Sequence, residues 1–237
     1  FNSTVNFTRV FPRTPFSLAV NMRHEQNLLN RQIGFTLPTV RLSMSRVAPF
    51  KSRIQTGKPK WYEGIGFTYN FEFSNVIQTF DSILFQRQSL DKFRFGINQN
   101  FQVDAPITLF KYLILNPSFN YQERTYFKGV DRRWDSDTTF VNRPDGSVDT
   151  IYGRLVTDTV WRFNSARNFN TAISLTTKLI GIYKFKNKYI KAIKHVFTPS
   201  VSFNYQPDFS RPIWRYYRNV QTNANGRTEL LPVFEPQ

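Results

Sequence analysis

Residues 61–74 read WYEGIGFTYNFEFS. Trp61, Ile65, Phe67, Tyr69, Phe71 and Phe73 hold the odd positions. Tyr62, Gly64, Gly66, Thr68, Asn70, Glu72 and Ser74 hold the even ones. A period of two is that of a β-strand with one apolar and one polar face. A soluble sandwich gives this alternation, and so does a membrane barrel. The question is which solvent the apolar face touches, a protein core or lipid.

The alternation recurs along the chain. Residues 16–24 place Phe16, Leu18, Val20 and Met22 opposite Ser17, Ala19, Asn21 and Arg23. Residues 31–45 run through Ile33, Phe35 and Leu37, then change phase after Pro38 to Val40, Leu42 and Met44. A proline in a strand removes a ladder donor, so Pro38 marks a bulge or an edge. Residues 93–103 set Phe93, Phe95, Ile97, Phe101 and Val103 against Arg94, Gly96, Asn98, Asn100 and Gln102. Residues 112–124, 167–179 and 199–206 alternate in the same way, and the last of these places Val201, Phe203 and Tyr205 on one side. With residues 1–10 and weaker segments at 153–163 and 212–220, about ten strands are expected.

The polar positions decide the solvent. They hold Ser, Thr, Asn, Gln and Gly and few Lys or Glu. A sheet facing bulk water usually carries long charged side chains, whereas a barrel lumen is polar without that excess. The apolar positions mix Phe and Tyr with aliphatics; the chain has 25 Phe and 11 Tyr among 237 residues. Mean hydropathy is −0.44, and no apolar run approaches the ~20 residues of a spanning helix. Strands that are only half apolar still span, and one of about 13 residues tilted by ~40° crosses the hydrocarbon. The expected fold is therefore all-β, an antiparallel transmembrane β-barrel. Trp61, Phe67, Tyr69, Phe71, Phe73, Phe93, Phe95 and Phe203 are the expected lipid-facing residues.

Charge sets the second expectation. The formal net charge is +16, which suits a polyanionic partner such as nucleic acid or phosphorylated lipid, or simply decorates loops. Arg23, Arg41, Arg94, Arg124, Arg162 and Lys178 fall on or beside polar positions, and in a barrel they line a cationic lumen. Lys184, Lys186, Lys188, Lys191 and Lys194 crowd residues 183–195, where they either snorkel to phosphates or decorate a turn. Residues 46–60 and 128–150 read as polar connectors, the second with an Arg-Pro-Asp-Gly turn at 143–146. Residues 75–93 carry helical spacing at Val76, Ile77, Phe80, Ile83 and Leu84. There is no cysteine, hence no disulfide or thiolate metal site. His24 and His195 have no spacing that links them to a nucleophile; His195 lies near Ser200. Asp131, Asp135 and Asp137 form an acidic cluster that lacks the calcium-loop pattern. No cofactor and no catalytic residue is expected.

Residues 192–210, AIKHVFTPSVSFNYQPDFS, resemble the barrel of the LptD family, outer-membrane lipopolysaccharide assembly proteins, in its Bacteroidetes-type form. RYYRNVQTNANGRTEL, RHEQNLLNRQIGFTLPTVRLSMSRVAPF and NPSFNYQERTYF add to the likeness, which runs in patches from about residue 11 to 230. The resemblance implies that residues 1–237 are a portion of a larger barrel, with the remaining strands and an N-terminal periplasmic jelly-roll outside this chain. It implies a translocon that inserts lipopolysaccharide into the outer leaflet through a lateral opening, in a Gram-negative outer membrane. Its partners would be an LptE-like lipoprotein, components of the periplasmic Lpt bridge and outer-membrane lipids, with no nucleic acid. Pro38 is a candidate weak point only at a strand seam. The alternatives are a porin or nutrient-transport barrel, a soluble basic nucleic-acid-binding β protein, and an outer-membrane lipase.

Overall fold

The computed structural model describes residues 1–52, 54, 57, 60–84, 86, 89, 92–110, 112–142, 148–185 and 191–234. The strands are β1 (Asn2–Val10), β2 (Phe16–Asn27), β3 (Gln32–Val47), β4 (Gly66–Phe80), β5 (Arg94–Asp104), β6 (Ile107–Leu109), β7 (Leu113–Asn142), β8 (Val148–Thr177), β9 (Leu179–Lys184), β10 (Ala192–Phe197), β11 (Ser200–Tyr205), β12 (Tyr217–Gln221) and β13 (Thr228–Pro232). Nine of them form one sheet in the order β1-β2-β3-β4-β5-β7-β8-β11, with β6 paired to β7. Every pairing is antiparallel.

Prolines interrupt strands without changing their register. Asp104 opposes Ser118 and Ile107 opposes Leu115 in one continuous register, so β6 prolongs β5 across Ala105–Pro106. Likewise Ser200 opposes Thr176 and Leu179 opposes Phe197, so β9–β10 prolongs the β8–β11 hairpin across Lys178 and Pro199. The main sheet is thus an up-and-down meander of eight passes. Together with the separate β12–β13 hairpin this agrees with the expected strand number.

Pro38 lies in a bulge. Between Thr36 and Val40, β3 carries one residue more than β4, and it carries one more than β2 over the same stretch. The extra residue is why Phe35 and Val40 face the same side despite opposite parity. Since β3 lies between β2 and β4, Pro38 is at no seam of this sheet.

The sheet has almost no core. Ile33, Ile77, Val130 and Val220 are the buried hydrophobic residues among those described. The chain exposes 18011 Å², whereas a compact soluble protein of its mass, 28.0 kDa, exposes about 11,000 Å². Among the described residues the sheet is open: β1 pairs only with β2, and β11 only with β8.

Several expectations change. Trp61 lies in a 3-10 turn, Trp61–Gly64, and the strand begins at Gly66. Phe93 precedes β5. Residues 75–80 complete β4, and a 3-10 turn spans Asp81–Ile83. The apolar spacing there comes from a strand end followed by a turn; of the remainder of that segment, residues 85, 87, 88, 90 and 91 lie outside the described residues. The connector expected at 128–150 is mostly strand, since β7 runs to Asn142 and β8 starts at Val148. Its Arg-Pro-Asp-Gly turn lies outside the described residues. So do Lys186 and Lys188. In the segment 212–220, Pro212–Trp214 form a 3-10 turn and β12 follows, off the main sheet.

The β7–β8 pair projects as an arm beyond β5, whose pairing to β7 ends at Gly96–Tyr126. A bulge between Asp135 and Thr138 is accommodated opposite Gly153, which has φ +76°. A Cβ there would stand 2.3 Å from the Trp134 ring. Gly153→Val should therefore destabilise the arm by about 2 kcal/mol or more, combining left-handed strain and overpacking. Faster proteolysis of the arm in otherwise intact protein is the readout.

Candidate functional site

Residues directly opposite in an antiparallel pair share a face, so the register assigns the faces of the paired, described residues. One face collects the amides. Asn100 donates to Asn120 at 3.0 Å, Asn120 to Asn170 at 3.3 Å and Asn170 to Asn204 at 3.3 Å. Gln122 donates to Asn98 at 3.1 Å, and Asn21 to Asn6. This amide ladder crosses β5, β7, β8 and β11 with carbonyls and NH₂ groups matched in turn. It satisfies the polar side chains sideways rather than through charge.

Four of the expected cations, Arg23, Arg41, Arg94 and Arg124, oppose residues of this polar face. Arg41, Glu72, Asn98, Arg124 and Ala166 form one lateral row through successive pairings. Arg41 holds Glu72 Oε2 through Nε and Nη2, at 3.2 and 2.8 Å. Arg23, opposite Thr4 and Thr36, pairs with Glu25. Arg94 opposes Val76. Arg162 lies beside Asn164 near Gly129. Lys178 occupies the break between β8 and β9. Arg41 and Arg124 are brought into one row; Arg23, Arg162 and Lys178 are separate from it.

A further ion pair closes one end of the polar face. Arg46 donates to Asp104, Nη2 to Oδ2 at 2.8 Å, and to the Gly64 carbonyl at 2.6 Å. Its guanidinium occupies the space where a Cβ on Gly66 would stand, 2.3 Å away. A side chain there would displace the guanidinium from its contacts with Asp104 and Gly64.

The opposite face is aromatic. Phe67, Tyr69, Phe71 and Phe73 alternate along β4 and oppose Val103, Phe101, Gln99 and Ile97. Phe67 stacks on Phe101 at 5.9 Å, and Phe95 meets Phe127 and Trp161 at 5.0 and 5.6 Å. Phe203 opposes Ile173. Trp61 is 64% exposed in its turn.

The apolar band is staggered. The row through Phe71 continues to Gln99, Glu123 and Arg167. On β8 and β9 the apolar positions Phe169, Ile173, Leu175 and Leu179 lie on one side of this row. On β1 and β2, Val5, Phe7, Val20 and Met22 lie mostly on the other. The aliphatic positions thus shift along the strands across the sheet, while Phe127, Trp161 and Phe163 carry aromatic rings past the row on β7 and β8.

Where the row leaves the band on β7 and β8 it becomes polar. Arg167 Nε contacts Glu123 at 3.0 Å, Ser165 and Tyr121 donate to Glu123, and Tyr69 donates to Gln99 at 2.8 Å. β11 stops opposite Thr171, and the Tyr216 hydroxyl takes the next place. It accepts from the Arg167 N–H at 2.6 Å and donates to the Arg167 carbonyl at 2.8 Å. Trp214 and Phe209 pack on Phe169 at 6.2 and 5.8 Å. Sequence reading missed Glu123, whose odd position among apolar neighbours was its signal, and Tyr216, which has none.

The turn leading to Trp214 is organised by Asp208. Its Oδ1 accepts from the Ser210 backbone N–H at 2.9 Å and hydroxyl at 2.6 Å, and its carbonyl accepts from Trp214 Nε1 at 3.1 Å. The Ser210 hydroxyl and then the Ser210 N–H hold the carboxyl below its ordinary value of 3.8. A depressed carboxyl stabilises the folded turn above its unfolded value, and the contribution is lost as pH falls through the folded value. Trp214 fluorescence should therefore stay constant from neutral pH down to about 4 and change only below it.

His24 stacks on Phe35 at 4.7 Å. His195 opposes Gly181 and lies five positions along the strand from Ser200, about 16 Å. Asp131 pairs with Arg218 at 3.1 Å, and Asp135 accepts from the Asp137 N–H. No metal-binding cluster occurs among the described residues.

Neither the curated proteins nor the solved structures contain a match. The family described as LptD protein matches residues 1–237. A two-faced antiparallel sheet with an amide-lined side is thus the form taken here by a chain that belongs to the LptD family, whose work is lipopolysaccharide assembly at the Gram-negative outer membrane.

Proposed function

We propose that this chain is part of the wall of a transmembrane β-barrel, its aromatic face against acyl chains and its amide face lining the transport path. Lipopolysaccharide would move along that path from the periplasm and leave sideways into the outer leaflet. The observation that carries this reading is the exposed area of 18011 Å² on a sheet with an uncharged polar ladder on one side and aromatic rings on the other. Such a sheet needs lipid on its apolar side, because water would leave those rings unburied.

Arg23, Arg94, Arg162 and Lys178 would meet the phosphates of the passing headgroup, as cations distributed along the path, with Arg41 and Arg124 adding to its positive field. Their number exceeds that of the carboxylates they pair with on this face, so the path retains positive potential. An LptE-like lipoprotein in the lumen, Lpt bridge proteins on the periplasmic side, a periplasmic jelly-roll and further strands belong to the same reading. The amide face requires no catalysis: transport needs only a polar path and a strand pair that opens, at the cost of its ladder hydrogen bonds.

Depletion of the full protein should strand lipopolysaccharide in the periplasm and lower its surface level. Normal surface lipopolysaccharide combined with a defect in solute uptake would contradict this proposal and favour a nutrient-transport barrel.

A further inference from the structure

The row that holds Arg41 and Arg124 also borders a recess of about 280 Å³ on the polar face. Glu72, Ser74, Asn98, Arg124 and Tyr126 line it, and Gly96 forms part of its floor. Gly96 opposes Ser74 on one side and Tyr126 on the other, so the smallest residue of β5 creates a depression between two larger neighbours. Tyr126 is braced from outside by Phe234, with ring centroids 5.0 Å apart.

The polar atoms around this recess are fixed but not used up. Arg41 engages Glu72 only at Oε2, which leaves Oε1 as an acceptor. Gln122 donates to Asn98 Oδ1, which orients the Asn98 NH₂ as a donor. Arg124 makes no hydrogen bond or ion pair with a described residue. Ser74 adds a hydroxyl that both donates and accepts. A carboxylate oxygen, an amide NH₂, a guanidinium and a hydroxyl thus converge beside an aromatic wall.

We propose that this recess is a carbohydrate subsite that holds one sugar unit of the transported glycolipid. The inference rests on the reading of the polar face as the transport path. Vicinal sugar hydroxyls donate to a carboxylate and accept from an amide or guanidinium, and the apolar side of a pyranose ring lies on an aromatic ring. An isolated phosphate fits less well, because Glu72 places a negative charge in the lining and Arg41 is already committed to it. The volume is slightly under the roughly 300 Å³ at which drug-sized sites begin, which suits a single ring. A shallow, single-sugar subsite would guide the saccharide along the wall and release it, as passage demands.

The test uses the full protein with its partner in detergent and, as probe, a deacylated and dephosphorylated lipopolysaccharide oligosaccharide, with inorganic phosphate as a separate competitor. Titration calorimetry should show binding that Arg124→Ala and Asn98→Leu each weaken by about tenfold or more, the loss of one charged or amide hydrogen bond. Gln102→Ala, on the same face outside the recess, should leave it unchanged. Phosphate should not compete. Unchanged affinity in both recess variants, or full competition by phosphate, overturns the subsite. Photo-crosslinking in cells from positions 98 and 102 separates the two levels of the proposal. Capture of lipopolysaccharide at position 102 with wild-type sugar binding in the recess variants removes the subsite and leaves the transport path standing. Capture at neither position removes the transport path itself.

Discussion

Deleting Asn70 from the full protein should abolish barrel assembly, while deleting Pro38 should leave most of it intact. Asn70 lies inside an unbulged stretch of β4, between Tyr69 and Phe71, paired without slip to β5. Losing one residue there reverses the faces of everything on one side of the gap. If residues 71–80 keep their register, Phe67 and Tyr69 turn to the polar face. If residues 66–69 keep theirs, Phe71 and Phe73 turn inward and Glu72 turns toward lipid. Each misplaced aromatic loses about 1.5–3 kcal/mol of burial, and a charge in the band adds several more. Pro38 is the opposite case. It lies in a bulge where β3 carries one residue more than both neighbours. Its removal leaves Ile33, Phe35, Leu37 and Val40 in a single alternating phase and lets β3 pair flush. Resistance of the folded barrel to detergent denaturation before heating, compared at equal expression, measures both. Equal loss in the two deletions would show that the register assigned here to β3 and β4 is wrong.

Phe101→Lys should destabilise the protein in lipid vesicles by about 1–4 kcal/mol, the depth-dependent cost of a cation on the proposed lipid side. Phe101 stacks with Phe67 and opposes Tyr69 and Tyr121 on the aromatic face. Gln102→Lys, one residue along the same strand, should cost no more than about 0.5 kcal/mol, because Gln102 is exposed on the polar face. Denaturant unfolding of both variants in vesicles gives the comparison. The difference between adjacent positions matters more than either value, since both lysines carry the same charge and occupy the same depth. A larger cost at Gln102 would invert the assignment of the faces.

The sequence carried the two faces well because the pleat writes them directly as odd and even positions. Phe67 to Phe73 and their polar partners needed nothing beyond that period. The Pro38 bulge was legible for the same reason: the apolar phase slips where the extra residue sits. The arm was not legible. Residues 127–142 outrun β5, and among the described residues their edge is covered only around Gly129–Arg132, by Arg218 and residues 232–234, so little of the strand has a buried face to impose alternation, and Asp-Arg-Arg-Trp-Asp-Ser-Asp reads as a loop. The strand end at Val76 to Phe80 followed by a turn imitates helical spacing. Within the candidate site, the parity of Arg41 and Arg124 could be read, but their common row could not. It depends on three pairings across residues far apart in sequence. The Arg46–Asp104 pair and the Tyr216 cap on β8 depend on tertiary placement alone.

Alternation also explains why the ladder across β5, β7, β8 and β11 is built from amides rather than charges. A row of Asn side chains at strand spacing supplies donor and acceptor in equal number, so Asn100, Asn120, Asn170 and Asn204 satisfy one another. Lysine or glutamate in those places would each need a counter-ion.

The central claim is that the rings along β4 meet acyl chains. Spin labels placed one at a time at positions 68 to 73 of the full protein in lipid vesicles test it directly, read by collision with oxygen, which concentrates in lipid, and with a water-soluble nickel chelate. The account predicts that oxygen dominates at 69, 71 and 73 and the nickel chelate at 68, 70 and 72. Positions 69, 71 and 73 shielded from both reagents would place those rings in a dry protein interior and contradict it.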